Sequence, residues 1–247
     1  MHKALDQVGA FSGPLVVAGL AAVANVRVGL AALAVPGAIA IALLLVLRRR
    51  LDTGEAVHRL GSAPGDERPA ATEARVRLPA AFHVYATAAA LTTAGLFTFG
   101  LFGFHLSHAR LVTVAAVPVV YAGAMAVGAV VALVAGHAFD QWGARTLLVL
   151  PLLVAIVPAL AFSHRLTVAL AGIAVWGAAS GLQDSTVKAL VADLAPSRTL
   201  ATAYGVFAAY QGAGALIGGA VGGALYANHR TALVVGTALA MLLAYGP

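Results

Sequence analysis

The 247-residue chain has no cysteine and little charge: Lys and Arg number 15, Asp and Glu 9, together 10% of the residues. Without cysteine there are no disulfide frameworks, thiolate metal sites or cysteine nucleophiles. The scarcity of charge, set against 61% hydrophobic residues, excludes two further classes. A soluble domain carries about 25% charged residues, and a disordered chain needs low hydrophobicity with high charge. A mean hydropathy of +0.93 points instead to an integral membrane protein. The net charge of +6 does not argue for a nucleic-acid partner. Most of the excess falls in short segments between apolar runs, where Lys and Arg set topology in a bilayer.

A bilayer core about 30 Å thick is crossed by about 20 apolar residues. Charge-free runs of that order are Val8–Val26, Val28–Leu47, Leu78–Ser107, Leu111–Phe139, Thr146–His164, Leu166–Gln183, Thr199–His229 and Thr231–Pro247. Transmembrane β-strands are shorter and alternate in polarity, whereas these runs are apolar throughout. The expected fold is therefore an all-α integral membrane protein, a polytopic bundle of about eight transmembrane helices in the lipid bilayer. One mixed-charge stretch, 48–78, with Pro64, Gly65 and Pro69, reads as a connector. It separates two spans in 1–47 from six in 79–247. The start, Met1-His-Lys-Ala-Leu-Asp, lacks a clear cleavage site after its apolar run, so the first span is expected to stay in place. With the N-terminus and the connector on one side, that side collects 11 of the Lys and Arg residues against 4 opposite. By the positive-inside rule it is cytoplasmic, and both termini are expected there.

The sharpest motif joins the fourth and fifth spans: Gly136-His-Ala-Phe-Asp140-Gln-Trp-Gly143-Ala-Arg145. Gly136 would allow two helix ends to approach, and Asp140 would cap the following helix and face its dipole. Gly143 would supply the turn, and Arg145 would pair with an acid or a lipid phosphate. The spacing G-x-x-x-D-x-x-G-x-R resembles the cytoplasmic loop signature of the major facilitator superfamily (MFS). Gly136, Asp140, Gly143 and Arg145 match, while Gln141 and Ala144 depart. In that family the motif lies between helices 2 and 3 and again between helices 8 and 9, where it stabilises a closed cytoplasmic side. Stretch 48–78 then corresponds to the connector between helices 6 and 7.

Two more stretches carry the resemblance. Ala4-Leu-Asp6-Gln7-Val-Gly9-Ala-Phe-Ser-Gly13-Pro14 resembles the family's helix 5, whose G-x-x-x-G-P belongs to an antiporter signature. Gly9, Gly13 and Pro14 match, and the paired glycines expected soon after Pro14 are absent. Small residues there would permit close helix contact, and Pro14 would free a carbonyl and bend the helix. Gln183-Asp184-Ser185-Thr-Val-Lys188 through Asp193 and Pro196, then Thr202-Ala-Tyr204-Gly205, is similar to the passage from helix 10 into helix 11. Leu200-Ala201 stands where Arg-Gly is expected, with Arg198 two residues early.

Asp184 and Lys188 are four residues apart, neighbours on one helix face. A charge at mid-span costs about 2.5–3.5 kcal/mol on insertion scales. Two readings stand: a polar pathway for ions or solute built from Asp184, Gln183, Lys188 and Ser185, or a structural salt bridge with Lys188 snorkelling outward. Asp6 and Gln7 have a similar duality, as an entrance pair or a helix cap. His83 and Tyr85 enter the third span at its cytoplasmic end, and Tyr204, Tyr210 and Gln211 could line a cavity or simply pack. His105, His108, His164 and His229 lie at external span ends without metal-ligand spacing, and no metal site or cofactor is expected. Gly214, Gly218 and Gly222 recur every four residues, the pattern of tight helix packing in lipid.

No nucleophile elbow, zinc-protease motif or phosphate-binding loop is present, so an enzyme is not expected. The resemblance implies helices 5–12 of a twelve-helix transporter: the last two helices of an N-terminal half and a six-helix C-terminal half. Such proteins rock around a midplane site. The implied function is secondary transport of a small solute, with proton-coupled export suggested by the antiporter-like stretch, and with a missing N-terminal half as a partner. The alternative is a non-transporting membrane assembly module or inactive transporter fragment, held through its glycine-rich helix.

Overall fold

The computed structural model describes residues 2–24, 26–52, 78–196 and 199–244. Among these it forms ten α-helices, two short 3-10 helices and no strand. The helices are α1 (His2–Val23), α2 (Val26–Ala32), α3 (Ala34–Asp52), α4 (Ala80–Leu96), α5 (Phe99–His108), α6 (Val117–Trp142), α7 (Val149–Ala161), α8 (Leu166–Leu194), α9 (Leu200–Asn228) and α10 (Arg230–Ala244). The charged core of the connector, 53–77, and Arg198 lie outside the described residues.

Among the described residues five stretches are long and apolar enough to cross a membrane: Arg27–Leu47, Ala80–His108, Val114–Ala161, Leu166–Leu194 and Leu200–Ala227. Arg230–Leu242 is a shorter apolar helix. The stretch Val114–Ala161 holds both α6 and α7, because the chain turns between them at Gly143, whose φ is +58°.

Two compact units are present, residues 16–76 and residues 1–15 with 77–247. In the smaller unit α2 packs on α3. The outer face of α3 is almost wholly apolar, with Ile39, Ile41, Leu43, Leu44 and Leu45 exposed. That is the surface a helix presents to lipid.

The larger unit is built on two parallel helix pairs. A Cβ added at Gly214 or Gly218 on α9 would fall on the carbonyl oxygen of Ala90 or Ala94 on α4, and one at Gly222 would meet the Phe97 ring. A Cβ at Gly177 or Gly181 on α8 would likewise fall on the carbonyl of Ala124 or Gly128 on α6. Numbers rise together along both seams, so each pair runs in parallel. Lipid supplies no hydrophobic force between helices, and close backbone approach through small residues takes its place. Helix α7 packs antiparallel on α8, with Gly172 against Leu160 and Ala161. Helix α10 packs on α7, α4 and α9. Phe82, Phe102, Val154, Ile173, Leu233 and Met241 are among the buried apolar side chains.

Candidate functional site

Four polar residues are buried among the described ones: Thr92, His105, Gln183 and Thr237. The two threonines satisfy themselves within their own helices. Thr92 Oγ1 donates to the Ala89 carbonyl at 2.8 Å and Thr237 Oγ1 to Leu233 at 2.8 Å. Gln183 differs, since it reaches across to another helix.

Gln183 lies near the middle of α8, and its Nε2 donates to Thr93 Oγ1 on α4 at 2.7 Å. Thr93 passes its own hydrogen to the Ala89 carbonyl at 2.8 Å. That fixes the amide orientation, because the threonine oxygen is left as the acceptor. Gln183 Oε1 is buried without a hydrogen-bond partner. A buried acceptor in that condition costs about 1–3 kcal/mol.

Four residues beyond Thr93 the span breaks. Helix α4 ends at Leu96, Phe97 adopts φ 51° and ψ 172°, and α5 begins at Phe99. A non-glycine residue at positive φ is strained. The Trp176 indole N–H on α8 donates to the Phe97 carbonyl at 3.4 Å. Phe99, Tyr121 and Trp176 close around the break, with ring centroids 4.7 Å (Phe99–Tyr121) and 5.7 Å (Phe99–Trp176) apart. An interrupted helix and an unsatisfied amide thus share one region of the α4–α8 seam.

The remaining sequence candidates divide. Asp184 is exposed, one residue from Gln183. Ser185 is half-buried and donates to the Leu182 carbonyl at 3.1 Å. Lys188 belongs to α8 by its backbone, and its side chain lies outside the described residues. Toward the start of α4, His83 Nδ1 is 3.3 Å from the Tyr210 hydroxyl on α9, and Tyr85 stacks on Phe207 at 5.9 Å. Thr93 and Trp176 are the participants that sequence reasoning missed. The Thr92-Thr93 pair inside an apolar helix was the available signal.

The turn motif departs from expectation at two positions. Asp140 does not cap the following helix, because α6 runs on to Trp142 and places the aspartate in its last turn. Gly136 makes no close approach, since nothing lies within 4 Å of a Cβ built there. Gly143 turns the chain at positive φ as expected, and exposed Arg145 follows in a 3-10 helix. In α1, Gly9, Gly13 and Pro14 all lie within one unbroken helix, with nothing within 4 Å of a Cβ at Gly13. Asp6 and Gln7 are interior to α1, which begins at His2, so neither is its cap. Among the described residues no cluster of three or more metal-ligating side chains occurs.

The Major Facilitator Superfamily model matches residues 85–246. The chain is 44% identical over 241 residues to an uncharacterized protein of Mycobacterium bovis. It is equally similar to uncharacterized proteins of two Mycobacterium tuberculosis strains. These alignments cover 95% of the chain but 57% of each relative, so the chain spans a little over half the length of the proteins it matches. No solved structure gives a significant match. Helices packed through small residues, apolar membrane-length spans and this match over most of the larger unit agree: the chain is a multi-pass membrane protein that belongs to the major facilitator superfamily, a family of transporters rather than enzymes.

Proposed function

We propose that the chain forms the larger part of a secondary transporter moving a small solute by alternating access, with the α4–α8 seam lining the solute path. The observation that supports this reading is the Gln183–Thr93 pair beside the break at Phe97. Polar groups inside a membrane bundle are costly, and where they occur they mark substrate or ion routes. Transporter sites lie near the bilayer midplane at interrupted helices, where backbone and side-chain groups are left to meet the solute. The spare Gln183 acceptor suits a solute carrying a hydroxyl or amine donor.

Exposed Asp184, next along α8, is the proton-coupling candidate, with Ser185 and Lys188 completing the polar turn. In this reading the arginine-rich connector and both termini face the cytoplasm of the cell membrane, and Gly136–Arg145 steadies that side. Gly9, Gly13 and Pro14 favour export by exchange, and residues 1–47 and 79–247 belong to the two halves of the carrier.

Reconstitution into proteoliposomes with a panel of radiolabelled solutes tests the reading. Solute flux that Gln183→Leu abolishes, and that responds to an imposed pH gradient, is the expected result. Silence across the panel favours a non-transporting assembly module. Flux unchanged in Asp184→Asn and insensitive to an uncoupler removes Asp184 from coupling.

A further inference from the structure

A second polar cluster lies where α5 ends, α7 gives way to α8, and α9 gives way to α10. His105 on α5 is fully buried. Its Nδ1 is 2.7 Å from the Tyr226 hydroxyl on α9, and its Nε2 is 3.0 Å from the Ser163 carbonyl between α7 and α8. Arg230, the first residue of α10, donates to the Tyr226 oxygen at 3.3 Å and lies 4.7 Å over its ring. The same guanidinium donates to His164 Nε2 at 3.0 Å.

Hydrogen accounting fixes this network. A carbonyl only accepts and a guanidinium only donates. His105 Nε2 therefore carries its hydrogen toward Ser163, and in the neutral ring the bare Nδ1 accepts the Tyr226 O–H. His164 Nε2 must be bare to accept from Arg230. Both imidazoles are neutral in this arrangement, and it ties together three stretches distant in sequence, at His105, at Ser163–His164 and at Tyr226–Arg230.

The surroundings offer no counter-charge among the described residues. His108 stacks on Phe104 at 5.2 Å, Phe104 meets Tyr226 edge-on, and Phe162 meets His105 edge-on. His105 and His164 are 5.8 Å apart by ring centroids. Arg110, Arg165 and His229 occupy the adjoining turns. Asp140 lies at the far end of α6, and Asp184 and Asp193 lie in the second half of α8.

We propose that this cluster is a proton-binding site that fastens the ends of α5, α8, α9 and α10 when both imidazoles are neutral and releases them on acidification. A proton on His164 Nε2 sets two donors and two positive charges face to face. A proton on His105 Nδ1 presents the phenol oxygen with two cationic donors and displaces its own hydrogen. The released state binds more protons, so the clasp is present at alkaline pH and is lost on acidification. This site is separate from the α4–α8 seam, and its test needs no solute.

Because the chain lacks cysteine, Thr113→Cys in the stretch after α5 and Thr231→Cys beside Arg230, both at exposed positions, take nitroxide labels without competition. Pulsed EPR in nanodiscs at about pH 8 and about pH 5.5 reads the separation. The labelled protein, otherwise wild type, should show a longer and broader distance distribution at the acid pH. Adding His105→Gln with His164→Gln, which cannot take the proton, should give one distribution at both values. Tyr226→Phe should give the acid-like distribution at both. A pH-independent distance in the otherwise wild-type protein, or an undiminished pH response in the glutamine variant, overturns the proposal. Nitrogen NMR of the unsubstituted protein at about pH 8 gives a second reading. It should find His105 protonated on Nε2 alone, and the opposite tautomer overturns the proposal as well.

Discussion

Gly181 of α8 stands so close to Gly128 of α6 that a methyl group in place of its hydrogen would land on the Gly128 carbonyl oxygen. One turn away, Gly177 meets Ala124 in the same way. The seam is backbone against backbone, with no flexible side chain to yield.

Gly181→Ala should therefore push α6 and α8 apart. Overpacking a close contact costs about 1–3 kcal/mol, and a fall in stability of that size should appear in unfolding titrations in mixed micelles. Gly219→Ala and Gly223→Ala supply the control. Nothing lies within 4 Å of a Cβ at either position on α9. There alanine gains up to about 1 kcal/mol of helix propensity, and stability should hold or rise.

Gly143→Ala tests the turn that separates α6 from α7. Its φ of 58° and ψ of −142° lie in a region that side-chain-bearing residues enter at a cost of about 1–3 kcal/mol. No atom blocks the new methyl, so any loss in melting temperature reports backbone strain alone.

Trp176→Phe separates two roles of one side chain. Phenylalanine keeps the packing on Phe99 and Phe102 but removes the donor to the Phe97 carbonyl. Losing that bond should cost about 0.5–1.5 kcal/mol, while Trp176→Ala should cost about 3–5 kcal/mol. No loss in Trp176→Phe would mean that the indole N–H contributes nothing to the break.

Composition and run length made the helical membrane fold legible, and the four-residue spacing marked Gly214, Gly218 and Gly222 as small residues on one helix face. The α6–α8 seam was only half legible, because glycine faces an alanine at Ala124 and spacing on one helix does not name its partner. At the break between α4 and α5 neither intervening residue, Phe97 or Thr98, is proline or glycine, although Gly95 and Gly100 flank them. The residues that meet Phe97 there, Trp176 and Gly222, lie far along the chain, where no local pattern points to them. Asp140 misled because an acid before a turn looks like a cap for the next helix. Here α6 simply extends past it, and Gly143 does the turning. Gln183 stood out as an amide in an apolar run, but its partner Thr93 lies 90 residues away and no local pattern links them.

That pair yields an asymmetric prediction. Thr93→Val removes the acceptor and leaves the Gln183 amide hydrogen buried and unpaired, at a cost of about 1–3 kcal/mol. Gln183→Leu removes the amide together with its orphaned Oε1, while Thr93 still donates to the Ala89 carbonyl. This second change should be neutral or stabilising in the same unfolding titration, and the double variant should match Gln183→Leu rather than the sum of the two. A residue whose removal strengthens the fold is kept for something other than stability, which is the behaviour expected of a group that meets a solute. If Gln183→Leu instead weakens the protein as much as Thr93→Val does, the amide is a structural link between α4 and α8 and its place in the solute path falls.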